Sequence, residues 1–179
     1  MATREQQTIP VSVVDTAEIS LSSKEQQGID ELISHSPQLA GITIDALKLI
    51  QAERGWVSDA SLHALSLYTQ IPVADLDSVA TFYNLIFRQP VGKVVLHPCD
   101  GISCDLMGGE HIRQCLKQQL NITAGETTTD NRFTLIPLPC LGACDKAPVM
   151  IANKQLFENM TTDELPKLLS TLSTFGEVS

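Results

Sequence analysis

Two pairs of cysteines constrain this chain more than any other feature. Cys99 and Cys104 bracket four residues, and Cys140 and Cys144 bracket three. The 35 residues from Asp105 to Pro139 separate the pairs, room for one helix and one strand before the chain returns. If each pair sits on a loop at one end of a sheet, four thiolates can converge. In a reducing compartment that convergence has two main outcomes, a structural zinc ion or an iron–sulfur cluster. Zinc knuckles favour tighter pairs with two intervening residues. The wider pairs here suit two irons, each gripped by one pair. Spacing therefore favours a [2Fe-2S] site, while zinc, free thiols and a redox disulfide stay open. Gly101 and Gly142, inside the pairs, are expected to let the backbone approach closely and aim N–H groups at sulfur.

The fifth cysteine needs a separate account. Cys115 falls in helical register with Ile112 and Leu116, where a lone cysteine packs as a small hydrophobe. His97 and His111 flank the first pair, but Rieske-type histidine ligation places a Cys and a His on each loop. Here each loop has two cysteines of its own, so neither histidine is expected as a ligand.

Charge narrows the partners. Twelve Lys and Arg against 21 Asp and Glu give a net charge of −9. That balance argues against nucleic acid and against an anionic lipid surface. No apolar run approaches the roughly 18–20 residues of a membrane span. Residues 1–7 lack the basic start and apolar run of a secretory signal. The expectation is a cytoplasmic protein without direct membrane insertion.

Patterning divides the chain into an arm and two domains. Residues 1–19 show no sustained period and are expected to be a flexible arm. From 20 to 90 the pattern is helical. Ser22 or Ser23 can cap a helix carrying Ile29, Leu32 and Ile33, which Pro37 closes. Ile44, Leu47 and Ile50 mark a second helix ending near Gly55. Ser58 or Asp59 can cap a third, with Leu62, Leu65, Leu67 and Tyr68 as apolar positions. Leu76, Val79, Phe82, Tyr83 and Ile86 mark a fourth. Helices this short need one another, so a compact bundle is expected, with most of Trp56, Phe82, Tyr83 and Phe87 inside it.

After the break at Gln89–Gly92 the pattern turns to alternating strands. Residues 93–97 and 132–136 read as strands, and 106–120 as a helix bearing Ile112, Cys115, Leu116 and Leu120 on one side. Residues 149–152 and 155–157 flank Asn153–Lys154 as a hairpin. Thr161 or Thr162 is expected to cap a last helix, with Asp163 and Glu164 in its first turn and Leu165, Leu168, Leu169 and Leu172 inward. The whole reads as α+β, with residues 91–179 as the second domain.

These motifs together resemble a known family. Cys99-Asp-Gly-Ile-Ser-Cys104, Cys140-Leu-Gly-Ala-Cys144-Asp-Lys-Ala-Pro148, Ala80-Thr-Phe-Tyr83 and Phe87-Arg-Gln-Pro-Val-Gly92 are similar to the NuoE family. These are small [2Fe-2S] subunits of the NADH dehydrogenase module of respiratory complex I. The resemblance runs from about Leu21 to Leu172. It implies an N-terminal four-helix bundle followed by a thioredoxin-like [2Fe-2S] ferredoxin domain. It implies one low-potential cluster on Cys99, Cys104, Cys140 and Cys144, exchanging single electrons with a partner's flavin. FMN and NADH are then bound by that partner subunit, within a peripheral arm on the cytoplasmic side of the inner membrane. Related small subunits serve NAD-linked hydrogenases and formate dehydrogenases, which remain an alternative, as does a structural-zinc interaction module. Arg88 and Gln89–Gly92 are partner contacts by resemblance only.

Thioredoxin folds often place a cis-proline where Pro148 stands, although most X–Pro bonds are trans. Around the pairs, Asp100, Asp105 and Asp145 are acidic, and Lys146 is the only nearby cation in sequence. That balance opposes reduction, which adds a negative charge, and so favours a low potential.

Overall fold

Hydrophobic spacing builds the first half of the molecule, and β-branched residues in a central strand build the second. A computed structural model describes residues 20–174. The expected arm, residues 1–19, lies outside the described residues, as do residues 175–179. The chain divides between Gln89 and Pro90 into two compact units.

The first unit holds α1 (Ser23–His35), a 3₁₀ turn (Leu39–Ile42), α2 (Thr43–Arg54), α3 (Asp59–Thr69) and α4 (Val73–Phe82). Ser22 and Glu25 form a reciprocal capping box at the start of α1, and Ser58 caps α3. Ile29, Leu47, Ile50, Leu62, Leu65 and Leu76 form a fully buried aliphatic core. Glu25 is buried with them, and Arg54 grips both of its oxygens at 2.6 Å. Gln51 donates to the Leu85 carbonyl and accepts from the Phe87 N–H, tying the segment after α4 back to α2.

Two expectations for this unit fail. Leu67 is 77% exposed, because the buried stripe of α3 runs through Ser61, Leu62, Ala64 and Leu65 and turns Leu67 outward. None of the four aromatics is buried: Phe82 is 75% exposed, Tyr83 is exposed, and Trp56 and Phe87 are half-buried. Aliphatic side chains already fill the core, and Phe82 falls off the Leu76–Ala80 stripe that α4 buries.

The second unit contains β1 (Val94–Pro98), α5 (Ile102–Leu106), α6 (Gly109–Leu120), β2 (Phe133–Leu135), β3 (Met150–Ala152), β4 (Gln155–Phe157) and α7 (Leu165–Thr174). Its sheet runs β2-β1-β3-β4. β1 pairs parallel with β2, Val94 opposite Phe133, and antiparallel with β3, Leu96 opposite Ala152. Every residue of β1 is buried, as a central strand covered on both faces requires. β3 and β4 form the expected hairpin across Asn153 and Lys154. Leu96, Leu116, Leu135, Met150 and Leu165 are fully buried in the core of this unit.

The expected helix over 106–120 is in fact two. Gly108 adopts φ +96°, a left-handed conformation, so α5 stops and α6 starts afresh at Gly109. Leu106 belongs to α5 and is 81% exposed. The last helix likewise starts later than expected, at Leu165, with Asp163 and Glu164 in a turn before it. The Thr161 hydroxyl donates to the Glu164 carboxylate instead of capping the helix.

Candidate metal centre

Parallel pairing of β1 and β2 sets the geometry of the cysteine loops. Parallel strands end at the same side of a sheet, so the chain leaving β1 and the chain leaving β2 emerge together. Their pairing continues past the strands as a bridge between Cys99 and Leu138, and the Asp100 N–H donates to the Leu138 carbonyl. Cys99 and Asp100 begin the first loop, and Cys140 follows Leu138 by two residues on the second.

All four predicted cysteines line one small cavity of about 70 Å³, together with Gly101, Ile102 and Ser103. Cys99 and Cys104 are buried, whereas Cys140 and Cys144 are exposed. The Cys140 and Cys144 sulfurs stand 3.7 Å apart. Among the described residues, no three or more His, Cys, Asp or Glu side chains gather around a single-ion site.

Backbone conformation brings the loops close. A Cβ on Gly101 would stand 3.3 Å from the Cys140 nitrogen and 3.4 Å from the Cys99 sulfur. Glycine lets the loops touch there, as expected. Gly142 has a different role: a Cβ there would meet open space, but φ is +84°. Cys140 is also left-handed, at φ +41°, which is uncommon for a residue with a side chain. The second loop is thus bent by two left-handed residues, and the Ala147–Pro148 bond that follows is cis.

Electrostatics distinguish the buried pair. Burial pushes the Cys99 thiol up, but N–H groups of Gly101, Leu141 and Cys140, with the Cys104 thiol, outweigh it and hold it below its ordinary value. The Gly101 N–H lies 3.4 Å from the Cys99 sulfur. Cys104 is pushed up, first by burial and then by the adjacent Cys99, against one N–H from Val149. Backbone donors aimed at sulfur stabilise a thiolate bound to metal. Four thiols in two pairs, met by these donors, fit a binuclear iron–sulfur group.

The remaining candidates fall into place. Cys115 is half-buried against the second core and accepts from Gln119, consistent with a packing role. His97 is buried, with Nδ1 2.8 Å from the Ile136 carbonyl, and burial holds its pKa low despite that contact. His111 is exposed. Arg88 binds the Val57 carbonyl, Asp59 and Asp77 within the first unit.

Sequence reasoning missed one residue. Arg113, on α6, is 8% exposed and donates 2.9 Å to the Cys99 carbonyl. It also pairs with Asp105 at 2.7 Å and with Glu110. Lys146 is therefore not the only cation near the cysteines, and it is itself paired with Glu158 at 2.8 Å. The Glu110–Arg113 spacing of a helical ion pair was visible in the sequence, but the reach to Cys99 was not.

Residues 29–173 match the family of thioredoxin-like [2Fe-2S] ferredoxins. The chain belongs to that family. It is 42% identical over 154 residues to the E subunit of NADH-quinone oxidoreductase from Escherichia coli (strain K12), covering 86% of this chain and 93% of that protein. The corresponding protein of Pseudomonas aeruginosa is 39% identical over 158 residues, covering 88% and 95%. These relatives place this ferredoxin-family member among the E subunits of NADH-quinone oxidoreductases. Its fold also resembles an NAD+-reducing [NiFe]-hydrogenase in the H2-reduced state, with a TM-score of 0.66 at 21% identity. That likeness covers 76% of this chain and 23% of the hydrogenase chain, and concerns the fold alone.

Proposed function

We propose that this chain is the electron-transfer subunit of an NADH-quinone oxidoreductase, holding one [2Fe-2S] cluster on Cys99, Cys104, Cys140 and Cys144. The observation that carries this reading is the single cavity lined by all four thiols, two from each loop. When bound, the cluster supplies a one-electron couple. The chain itself orients the four sulfurs, points N–H groups of Gly101 and Val149 at the buried pair, and leaves Cys140 and Cys144 at the surface where electrons enter and leave.

NADH and flavin chemistry belong to a partner subunit, and this chain exchanges single electrons with that flavin. Residues 20–90 serve as a four-helix bundle and 91–179 as the ferredoxin domain, within a peripheral arm on the cytoplasmic side of the membrane. No helix among the described residues is long and apolar enough to cross a membrane. A role in an NAD-linked hydrogenase or formate dehydrogenase is less favoured, because the hydrogenase likeness is one of fold while the likeness to the NADH-quinone oxidoreductase proteins runs through the sequence. A structural-zinc module is also less favoured, since one zinc needs its thiolates drawn around a single point.

The test is the spectrum of the purified chain. A red-brown protein with two irons per chain, and a spin-one-half signal on reduction, is expected. A colourless protein with one zinc would falsify the assignment. Reduction of the signal by NADH only when a flavoprotein partner is present checks the division of labour.

A further inference from the structure

The first cysteine loop is clasped by one face of α6. Gly109 and Arg113 are four residues apart and therefore share that face. A Cβ at Gly109 would lie 2.8 Å from the Cys104 carbonyl oxygen, so only glycine lets α6 begin against the loop. One turn further on, Arg113 donates to the Cys99 carbonyl. Since the Cys99 N–H already donates to Val149 at 3.0 Å, this residue's backbone is held on both sides.

The same guanidinium reaches Asp105, the residue after Cys104, at 2.7 Å. Glu110 takes its other contact and is itself held by Gln114. Arginine keeps its charge at any working pH, and its planar fork can serve a carbonyl and carboxylates together. Desolvating such a cation is costly, and the two carboxylates offset that cost. The arrangement therefore puts a permanent positive charge beside a loop whose other charges, Asp100 and Asp105, are negative.

We infer that Arg113 is a positioning residue of the redox centre: it fixes the Cys99–Cys104 loop and, as a fixed cation, raises the midpoint potential of the group the cysteines hold. This rests on the four-cysteine assignment proposed above. Electron uptake adds negative charge at the cysteines, and the nearby cation favours that form. Asp105 acts in the opposite sense. Removing Arg113 and removing the Asp105 charge must then shift the potential in opposite directions. A role in packing alone gives no reason for that pair of signs.

The experiment is a redox titration of the reduced-state paramagnetic signal in the purified full chain, comparing wild type with R113M, R113K and D105N. At the wild-type midpoint, R113M is expected to lower the ratio of reduced to oxidised centre about tenfold, a downward shift of about 59 mV for one electron. R113K, which keeps the charge without the fork, is expected to recover most of that ratio. D105N is expected to raise it. An R113M midpoint equal to wild type, or R113K falling as far as R113M, overturns the inference. If R113M does not retain iron, R113Q, which keeps N–H donors but not the charge, decides: a lowered midpoint supports the inference, and an unchanged or raised one overturns it. A wild-type chain with no such signal defeats the four-cysteine assignment instead, which keeps the two failures distinct.

Discussion

Each half of this molecule contains a buried arginine–carboxylate network, and the two networks serve different ends. In the helical unit, Arg54 closes on Glu25, which also completes the capping box of α1. Arg54's further partners, Ser61 and the Ser20 carbonyl, also belong to the helical unit. In the sheet unit, Arg113 uses the same chemistry but spends one N–H on the carbonyl of Cys99. One network holds helices together, and the other holds a loop that carries two of the four proposed ligands. An ion pair is thus defined less by its chemistry than by what its third contact touches.

Four experiments can break or sharpen this contrast. The largest effect is expected from Cys104→Ser, which removes a buried cysteine of the proposed ligand set: iron and visible absorbance should be lost, while helix content by circular dichroism stays close to wild type. Retained wild-type absorbance would remove Cys104 from the ligand set. Next, Leu47→Ala in the fully buried aliphatic core should cost about 3 kcal/mol in denaturant unfolding and leave the midpoint potential unchanged. A shifted potential would mean the two units are not functionally separable.

Glu25→Gln should cost about 2 kcal/mol at neutral pH, less than a fully buried pair because Arg54 is partly exposed. The sign of its pH dependence follows from the carboxyl. The Arg54 guanidinium holds Glu25 below its ordinary value, against burial and with help from the Ser22 N–H. A lowered folded-state pKa stabilises the protein above the unfolded value, and that contribution is lost as pH falls through the folded one. The stability gap between wild type and the variant should therefore be full near pH 7 and narrow below about pH 4. A constant gap across that range would show that the charge of Glu25 does not matter.

The smallest effect is expected from Asp145→Asn. Asp145 is exposed beside Cys144, and Lys146 is occupied by Glu158. Removing its charge should raise the midpoint by roughly tens of millivolts, reduced by solvent screening. An unchanged value by redox titration would confine the electrostatic control to buried groups such as Arg113.

Much of this protein was legible in its residues. The caps at Ser22 and Ser58, the hairpin about Asn153 and Lys154, and the strand at 94–98 are local signals, carried by side chains a few positions apart. That the four cysteines meet at one cavity was legible too, because two spaced pairs on loops at one end of a sheet can converge. The misplaced aromatics were not. Whether Phe82 points inward depends on which stripe of α4 docks and on which aliphatic residues have already filled the core. Gly108 could be seen as a glycine, but only its left-handed φ divides one helix into two.

By itself, then, the sequence determined the element types, the two-part division of pattern and which thiols are offered as donors, since each rests on short-range periodicity or on side-chain chemistry. Tertiary structure decided which loops meet. The parallel register of β1 and β2 brings Cys99 beside Leu138, and the α6 face carries Arg113 back to Cys99 across 14 residues of chain. Contacts of that kind depend on how strands pair and how a helix docks, so no local pattern in the chain encodes them.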